Sequence, residues 1–94
     1  MRLRWQRRAL EDLFQIQAYI AQHNPDAADT VAREIQNAAI RLKQFLRLGH
    51  VSEIIGIFEL QVPGRPYVLP YRIADDIIQI LAVFDQRRDP KDKG

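Results

Sequence analysis

The sequence lacks cysteine entirely and contains only two histidines, His23 and His50, among its 94 residues. Without cysteine the chain can form neither a disulfide framework nor a thiolate ligand set. Two histidines this far apart cannot build a metal site without several additional carboxylates. We therefore predict that the protein holds no metal and no other cofactor.

Long apolar runs are also missing from the sequence. No uninterrupted apolar stretch approaches the ~20 residues that span a bilayer. The arginine-rich start leads into an amphipathic pattern rather than into the apolar segment of a signal peptide. The sequence therefore predicts a cytoplasmic protein with no membrane partner. A chain of this length fits one domain, residues 1–94, with a frayed tail at residues 91–94.

Acidic residues are absent from the first ten positions, and the basic residues are concentrated at two places. Four arginines lie near the start, Arg2, Arg4, Arg7 and Arg8, and Arg87-Arg88 follows the last apolar run. Residues 9–86 carry six basic against ten acidic side chains, a local charge of −4, although the whole chain has a net charge of +2. Arginine binds phosphate or carboxylate through two parallel hydrogen bonds. This segregation indicates an anionic partner or an acidic protein surface.

The first half of the sequence predicts a short strand followed by two amphipathic helices. Residues 2–5 alternate polar and apolar, which is typical of a strand with Leu3 and Trp5 facing inward. Helical spacing of apolar residues begins at about Arg7 and stops before Asn24-Pro25. Asparagine favours the N-cap and proline the first helical position, so a second helix begins there.

The second helix is predicted to run to about Leu46 and to end at Gly49. Its predicted buried stripe consists of Ala28, Val31, Ala32, Ile35, Ala38, Ala39, Leu42 and Phe45. The tight link between the helices predicts an antiparallel hairpin with one shared apolar face. That apolar face has to be buried against structure formed by the second half of the chain.

The second half predicts a three-stranded antiparallel meander, with strands at residues 54–62, 67–73 and 77–84. The turns between them are predicted at Pro63-Gly64 and at residues 74–76. Pro70 lies inside the middle strand, so we predict a bulge or an edge position there. The predicted fold class is therefore α+β: an N-terminal strand and an antiparallel helical hairpin packed on a small antiparallel sheet.

Positions spread over nearly the whole chain form an ordered pattern: Trp5, Ala9-Leu10, Asp12-Leu13, Ile16, Tyr19-Ile20, Asn24-Pro25, Ala27-Ala28, Gly56, Glu59-Leu60, Pro63-Gly64, Tyr71-Arg72 and Arg87-Arg88-Asp89-Pro90. The pattern resembles the RelE/ParE superfamily of toxins from bacterial type II toxin–antitoxin modules. The fold of that family agrees with the one that periodicity predicts. The resemblance also implies a cognate antitoxin whose disordered C-terminal segment wraps the toxin. The expected antitoxin contacts are Leu13, Ile16, Ile20, Val31 and Ile35.

The resemblance implies one of two activities. RelE-like members cleave messenger RNA on the ribosome, whereas ParE-like members inhibit DNA gyrase. RNA cleavage requires a base for the ribose 2′-hydroxyl, an acid for the leaving oxygen and cations for the phosphorane. Arg72 matches an arginine of RelE-like active sites, and Asp85 with Arg87 would complete a catalytic set.

Two departures from the RelE-like pattern favour the ParE-like activity. Asp85-Gln86 stands where many relatives have His or His-Tyr, and Phe58 stands where many carry an acid or arginine. Asp85 beside an arginine is expected to have a lowered pKa, which makes it a poor base. We therefore predict a gyrase inhibitor that is not an enzyme. The predicted target contacts are Arg65, Arg72, Arg87 and Arg88.

Three alternatives stay open at this point. The first is a ribosome-dependent endoribonuclease, with the ribosome and mRNA as partners, and the second is a non-toxic family member that survives only as the antitoxin's partner. The third is a small nucleic-acid-binding module, but the sequence has no aromatic-rich RNA signature and no helix-turn-helix. Its aromatic residues Trp5, Tyr19 and Tyr67 are predicted to pack against the protein rather than against bases.

Overall fold

The computed structural model describes residues 1–87, so the predictions for Arg88 and for the tail at residues 91–94 lie outside the described residues. Two helices and six strands follow one another along this part of the chain: β1 (Arg2–Trp5), α1 (Arg7–Ala21), α2 (Pro25–Arg41), β2 (His50–Val51), β3 (Phe58–Gln61), β4 (Tyr67–Ala74), β5 (Ile77–Ile80) and β6 (Phe84–Asp85). None of the helices within this range is long and apolar enough to cross a bilayer.

The strands form one mixed sheet in the order β1-β5-β4-β3-β2, and β6 pairs with the early part of β4. The predicted antiparallel meander is confirmed as β3-β4-β5. β1, whose place in the sheet the sequence does not predict, pairs in parallel with β5 and makes the whole sheet mixed. The α+β class is confirmed, with both helices packed on one face of the sheet.

The helical hairpin begins and turns where the sequence predicts. The Asn24 side-chain oxygen accepts the Ala27 backbone N–H at 3.1 Å, and Pro25 occupies the first helical position. The predicted stripe of α2 is buried along its length except at Phe45, whose side chain is 55% exposed. On α1, Leu13 is buried, and Ile16 and Ile20 pack partly against the same core.

The predicted end of the second helix is wrong, because α2 ends at Arg41 rather than at Leu46. A tertiary contact accounts for the difference. The buried Tyr71 hydroxyl donates to the Leu46 carbonyl oxygen at 2.9 Å and accepts the Gly49 N–H at 3.1 Å, which fixes residues 42–49 as turns. Gly49 allows the close approach, since a Cβ there would lie 2.6 Å from Cε1 of the Tyr71 ring.

Two predicted strands are shorter than expected. Residues 54–57 form a turn, in which the Ser52 N–H donates to Ile57 and Gly56 has a φ of 84°, so β3 begins only at Phe58. The predicted strand at residues 77–84 is broken into β5 and β6.

Pro70 explains the break in the last predicted strand. Tyr71 of β4 pairs with Ile80, and Val68 of β4 pairs with Phe84. Between these two pairs β4 has two residues, whereas the opposite segment has three, residues 81–83. Pro70 has no N–H to offer the ladder, and its carbonyl accepts the Leu81 N–H at 2.9 Å. The predicted bulge is confirmed, and it lies on the strand opposite the proline.

Candidate functional site: an arginine face on the sheet

Arg72 projects from the outer face of the sheet, away from the helices. Its neighbour Tyr71 is fully buried in the core, and side chains of a strand alternate between faces, so Arg72 points the other way and is exposed. Arg72 lies opposite Gln79 of β5, and Gln79 lies opposite Arg4 of β1. These three side chains therefore form one row across three neighbouring strands.

Arg2 extends this row along β1. It lies two residues before Arg4, on the same face, and pairs with Ile77. Strands in a sheet are about 4.8 Å apart, which separates the backbones of Arg4 and Arg72 by roughly 10 Å. We call Arg2, Arg4 and Arg72 the arginine face.

Among residues 1–87, no carboxylate forms an ion pair with a guanidinium of the arginine face. Arg72 Nε donates to the neutral Gln79 Oε1 at 2.6 Å. Within residues 1–87, the ion pairs join other residues, and none of them includes Arg2, Arg4 or Arg72. Three cations on β1 and β4, the strands on either side of β5, create a positive surface that attracts phosphate or carboxylate groups.

A histidine–glutamate pair lies beside the arginine face. Glu59 of β3 is opposite Pro70, two residues before Arg72, so it shares the outer face. His50 of β2 is opposite Glu59, and its Nε2 lies 3.4 Å from Glu59 Oε1. This pair was not predicted, because a two-residue edge strand at residue 50 gives no periodic signal.

Two of the other predicted target contacts are occupied by internal ion pairs. Arg65 binds Glu34 of α2 through two hydrogen bonds, of 2.6 and 3.2 Å. The hydrogen bond from Arg65 lowers the pKa of Glu34, with a smaller opposing effect of burial. Arg65 is therefore committed to joining α2 to the β3–β4 turn and does not belong to the arginine face.

Arg87 is held by Asp85 in the same manner. Its Nε and Nη2 donate to the two oxygens of the Asp85 carboxylate at 3.0 and 2.8 Å, and its backbone N–H donates to Oδ1 at 2.9 Å. The hydrogen bond to Asp85, followed by the charge of that carboxylate, raises the pKa of Arg87. The ion pair between Asp85 and Arg87 closes a short loop at the end of the described residues, which we call the Asp85–Arg87 loop.

The structure does not bring Arg72 together with Asp85 and Arg87. Asp85 pairs with Tyr67, whose side chain is buried in the core, and Tyr67 lies five residues before Arg72 on β4. An odd spacing along a strand places Asp85 and Arg72 on opposite faces, and the rise per residue separates them by about 17 Å. The structure therefore does not assemble the predicted catalytic set, because Arg72 on β4 and Asp85 on β6 lie on opposite faces of the sheet.

A cleft of about 630 Å³ opens between α1 and the segment around β6. Ile16, Tyr19 and Ile20 line it from α1, while Phe84 and Arg87 line the opposite wall. Tyr19, which the sequence analysis expected to pack, is 67% exposed in this cleft. Charged side chains, among them Arg8, Asp12 and Asp85, line the cleft together with these apolar ones.

The predicted antitoxin contacts divide between this cleft and the core. Ile16 and Ile20 line the cleft. Leu13, Val31 and Ile35 are at most 4% exposed, because they fill the space between the helices and the sheet. These three residues pack in the core of this structure, so Ile16 and Ile20 are the predicted contacts that line an open surface.

Asp12 of α1 holds the segment that leads into β6. Its Oδ2 accepts the Val83 backbone N–H at 2.9 Å and lies 3.6 Å from Nε of Arg8. The Arg8 guanidinium in turn lies 5.3 Å from the centre of the Phe84 ring, within the range of a cation–π contact. α1 therefore positions both the wall of the cleft and the Asp85–Arg87 loop.

The described part of the chain contains no cluster of three or more histidine, aspartate or glutamate side chains that could hold a metal ion. Three features of the described surface are available for binding or chemistry: the cations of the arginine face, the His50–Glu59 pair beside it, and the separate cleft on the helical side.

Known proteins share both this sequence and this architecture. The family described as the ParE toxin of the type II toxin–antitoxin system parDE matches residues 3–90. Y4kP of Sinorhizobium fredii is 40% identical over 88% of this chain and 85% of its own length. Toxin RelE2 of Caulobacter vibrioides is 34% identical over 84% of this chain and 88% of its own.

A solved structure agrees with these relatives. A chain of the chromosomal ParDE toxin–antitoxin system from P. aeruginosa superposes with a TM-score of 0.84 at 28% identity, over 90% of this chain and 95% of that one. The order of strands and the helical hairpin are thus those of a known toxin fold. The chain belongs to the ParE toxin family of type II toxin–antitoxin systems, within the RelE/ParE superfamily.

Proposed function

We propose that this toxin inhibits DNA gyrase by binding, as a ParE-like protein, and that a cognate antitoxin neutralises it. The arginine face is the observation that carries the proposal. It presents Arg2 and Arg4 on β1 and Arg72 on β4, on either side of β5, and none of them forms an ion pair among residues 1–87, as expected of a surface that engages phosphate or acidic protein groups. The separation of Arg72 from Asp85 argues against the catalytic set that the sequence suggested.

The antitoxin is proposed to occupy the cleft between α1 and β6. A toxin–antitoxin system supplies the solved structure with the TM-score of 0.84. In this protein the cleft is lined by Ile16 and Ile20, with Arg87 at its rim. An amphipathic segment that folds on binding would cover such a surface. The cleft and the arginine face lie on opposite faces of the sheet, so each can be altered separately.

A second candidate function, ribonuclease, is favoured by the His50–Glu59 pair. Cleavage of RNA by the 2′-hydroxyl needs a base, an acid and a cation near one phosphate. Glu59 and His50 could exchange protons, and Arg72 lies diagonally across from Glu59, roughly 7–8 Å away between the backbones. In this reading a phosphodiester of RNA would lie between the pair and Arg72.

Pulse-labelling in a bacterial host separates the two functions. Within minutes of induction from a tightly repressed promoter, a gyrase inhibitor lowers thymidine incorporation first, whereas a ribonuclease lowers methionine incorporation first. His50→Gln and Glu59→Gln should leave a gyrase inhibitor fully toxic and should abolish the toxicity of a ribonuclease. Arg72→Glu should weaken either activity, while Arg33→Glu, an exposed change on α2, serves as its control.

Either of two results would contradict the proposed gyrase inhibition. One is a fall in methionine incorporation that precedes the fall in thymidine incorporation and that Glu59→Gln removes. The other is accumulation of the protein with neither incorporation changed, which would indicate a non-toxic family member. Supercoiling of a relaxed plasmid by purified gyrase, with and without the protein, gives the same answer in vitro.

A further inference from the structure

The C-terminal end of α2 and the turns after it expose three large apolar side chains. The exposed fractions are 53% for Ile40, 55% for Phe45 and 41% for Leu48. Single exposed apolar residues are ordinary on protein surfaces, whereas a group within nine residues is typical of an interaction surface. We call this surface the 40–48 patch, and it consists of Ile40, Arg41, Lys43, Phe45, Arg47 and Leu48.

The charge of the 40–48 patch has one sign. Residues 35–52 contain three basic side chains, Arg41, Lys43 and Arg47, and no acidic one. Cations near the C-terminal end of a helix are favoured by the helix dipole, which accounts for part of this composition. The dipole gives no reason for the exposed phenylalanine and leucine between the cations. The combination matches a partner that is both acidic and apolar.

The patch is fixed in place before any partner binds. The Phe45 N–H donates to the Arg41 carbonyl at 3.0 Å, and the Leu48 N–H donates to Phe45 at 3.1 Å. The Tyr71 hydroxyl then ties residues 46 and 49 to the sheet. A surface that is already ordered loses little conformational entropy on binding.

A cleft of about 160 Å³ lies at one edge of the patch. Its lining residues are Ala38, Arg41, Leu48, His50, Leu60, Gln61 and Pro63. Arg41 therefore lines a hollow whose surface is more apolar than polar. One apolar side chain of a partner could enter the hollow while a neighbouring carboxylate pairs with Arg41.

We propose that the 40–48 patch binds an acidic amphipathic segment of a partner protein. Apolar side chains of the segment contact Phe45 and enter the cleft beside Leu48, and its carboxylates pair with Arg41 and Arg47. Nucleic acid fits less well, because its phosphate groups would not bury the exposed apolar side chains. A membrane surface fits less well, because the cleft receives a single side chain rather than a flat layer of lipid. The inference does not depend on the gyrase proposal.

The test uses the full chain, made by cell-free synthesis, and measures the fluorescence anisotropy of a labelled peptide. The probe is a short peptide with leucine on one helical face and glutamate on the other. Two comparison peptides replace its leucines by serine or its glutamates by lysine. We expect the probe to bind, both comparison peptides to bind about tenfold more weakly or not at all, and the affinity to fall with added salt.

Two substitutions in the patch and one control complete the test. Arg41→Glu and Leu48→Ser should each weaken binding of the probe about tenfold, whereas Arg33→Glu, the same charge change on the same helix, should not. Circular dichroism and urea unfolding check that Leu48→Ser still folds. If it does not fold, Arg41→Glu, a change at an exposed residue, still tests the proposal.

Three results would overturn the proposal. The first is unchanged binding of the probe to both patch variants. The second is binding of the serine peptide as tightly as the probe, which would reduce the surface to a charge effect. The third is tighter binding of phosphatidylglycerol vesicles or duplex DNA than of the probe, with losses in the same variants, which would assign the patch to lipid or nucleic acid.

Discussion

Tyr71 holds the segment after α2 through two hydrogen bonds of its hydroxyl. Its ring is fully buried and stacks on Phe58 with 5.6 Å between ring centres. Its oxygen bonds both Leu46 and Gly49, so a residue of β4 decides where the chain stops being helical. Burial raises the pKa of the Tyr71 hydroxyl, which therefore stays neutral and able to donate well above physiological pH.

Tyr71→Phe should lower the free energy of unfolding by about 1–2 kcal/mol, because the Leu46 carbonyl and the Gly49 N–H lose a partner in a partly buried place. Urea unfolding followed by circular dichroism measures the change. Tyr67→Phe is the matched control, since Tyr67 is also buried on the inner face of β4. Equal losses in the two variants would show that the hydroxyl bridge contributes nothing of its own.

The Arg65–Glu34 pair gives the protein an acid-sensitive contact. Because the folded pKa of Glu34 lies below its unfolded value, the pair stabilises the fold fully above the unfolded pKa. That contribution is lost as the pH falls from about 4.3, the ordinary glutamate pKa, through the folded value. The sign follows from the carboxylate binding its proton more readily once the chain unfolds.

Glu34→Gln should therefore make the urea midpoint fall less between pH 7 and pH 3 than it does in the unaltered protein. The Arg65 hydrogen bond can persist to the amide oxygen, so the loss at neutral pH should be small. Glu11→Gln, an exposed change on α1, is the control and should keep the original pH profile. A pH profile of Glu34→Gln that coincides with that of the control would contradict the assignment.

At the scale of elements, the segment between β5 and β6 depends on α1 as much as on the sheet. Residues 81–83 leave the ladder opposite Pro70, and the Val83 N–H finds its acceptor in Asp12. One carboxylate on a helix thus replaces a strand as the partner of this backbone group. The wall of the cleft at Phe84 rests on the same attachment.

Asp12→Ala should loosen residues 81–87 and lower the free energy of unfolding by about 1–3 kcal/mol, because the Val83 N–H loses its acceptor. In Asp12→Ala, hydrogen exchange measured by NMR should speed up more at the Val83 amide than at the amides of β3, relative to the unaltered protein. Asp12→Asn retains an acceptor oxygen and should lose less. Unchanged exchange at Val83 in the alanine variant would mean that β6 is held by its pairing with β4 alone.

The elements that sequence could predict are those with a local cause. Asn24 and Pro25 carry their own capping chemistry, and the stripe of α2 repeats with the helical period, so both were correctly placed. The end of α2 was wrong because Tyr71, far along the chain, determines it. Pro70 predicted a bulge correctly, but its effect on the opposite strand depends on register, which no single residue encodes.

At the scale of the whole molecule, the fold brings together arginines that lie far apart in the sequence. Arg4 joins Arg72 on one face through the parallel pairing of β1 with β5. Arg65 and Arg87, which the sequence grouped with Arg72, are committed to Glu34 and Asp85. Residue type predicted that arginine would carry function, but only the topology selects which arginines remain unpaired with carboxylates among the described residues.

The pairing of β1 with β5 also fixes when the arginine face comes into being. β1 leaves the ribosome early, yet in the described sheet its single neighbouring strand, Ile77–Ile80, is synthesised some 75 residues later. Until then Arg4 and Arg72 lie on segments that nothing holds side by side. A growing chain therefore carries these arginines before they form one surface, and a chain interrupted before β5 cannot assemble the arginine face.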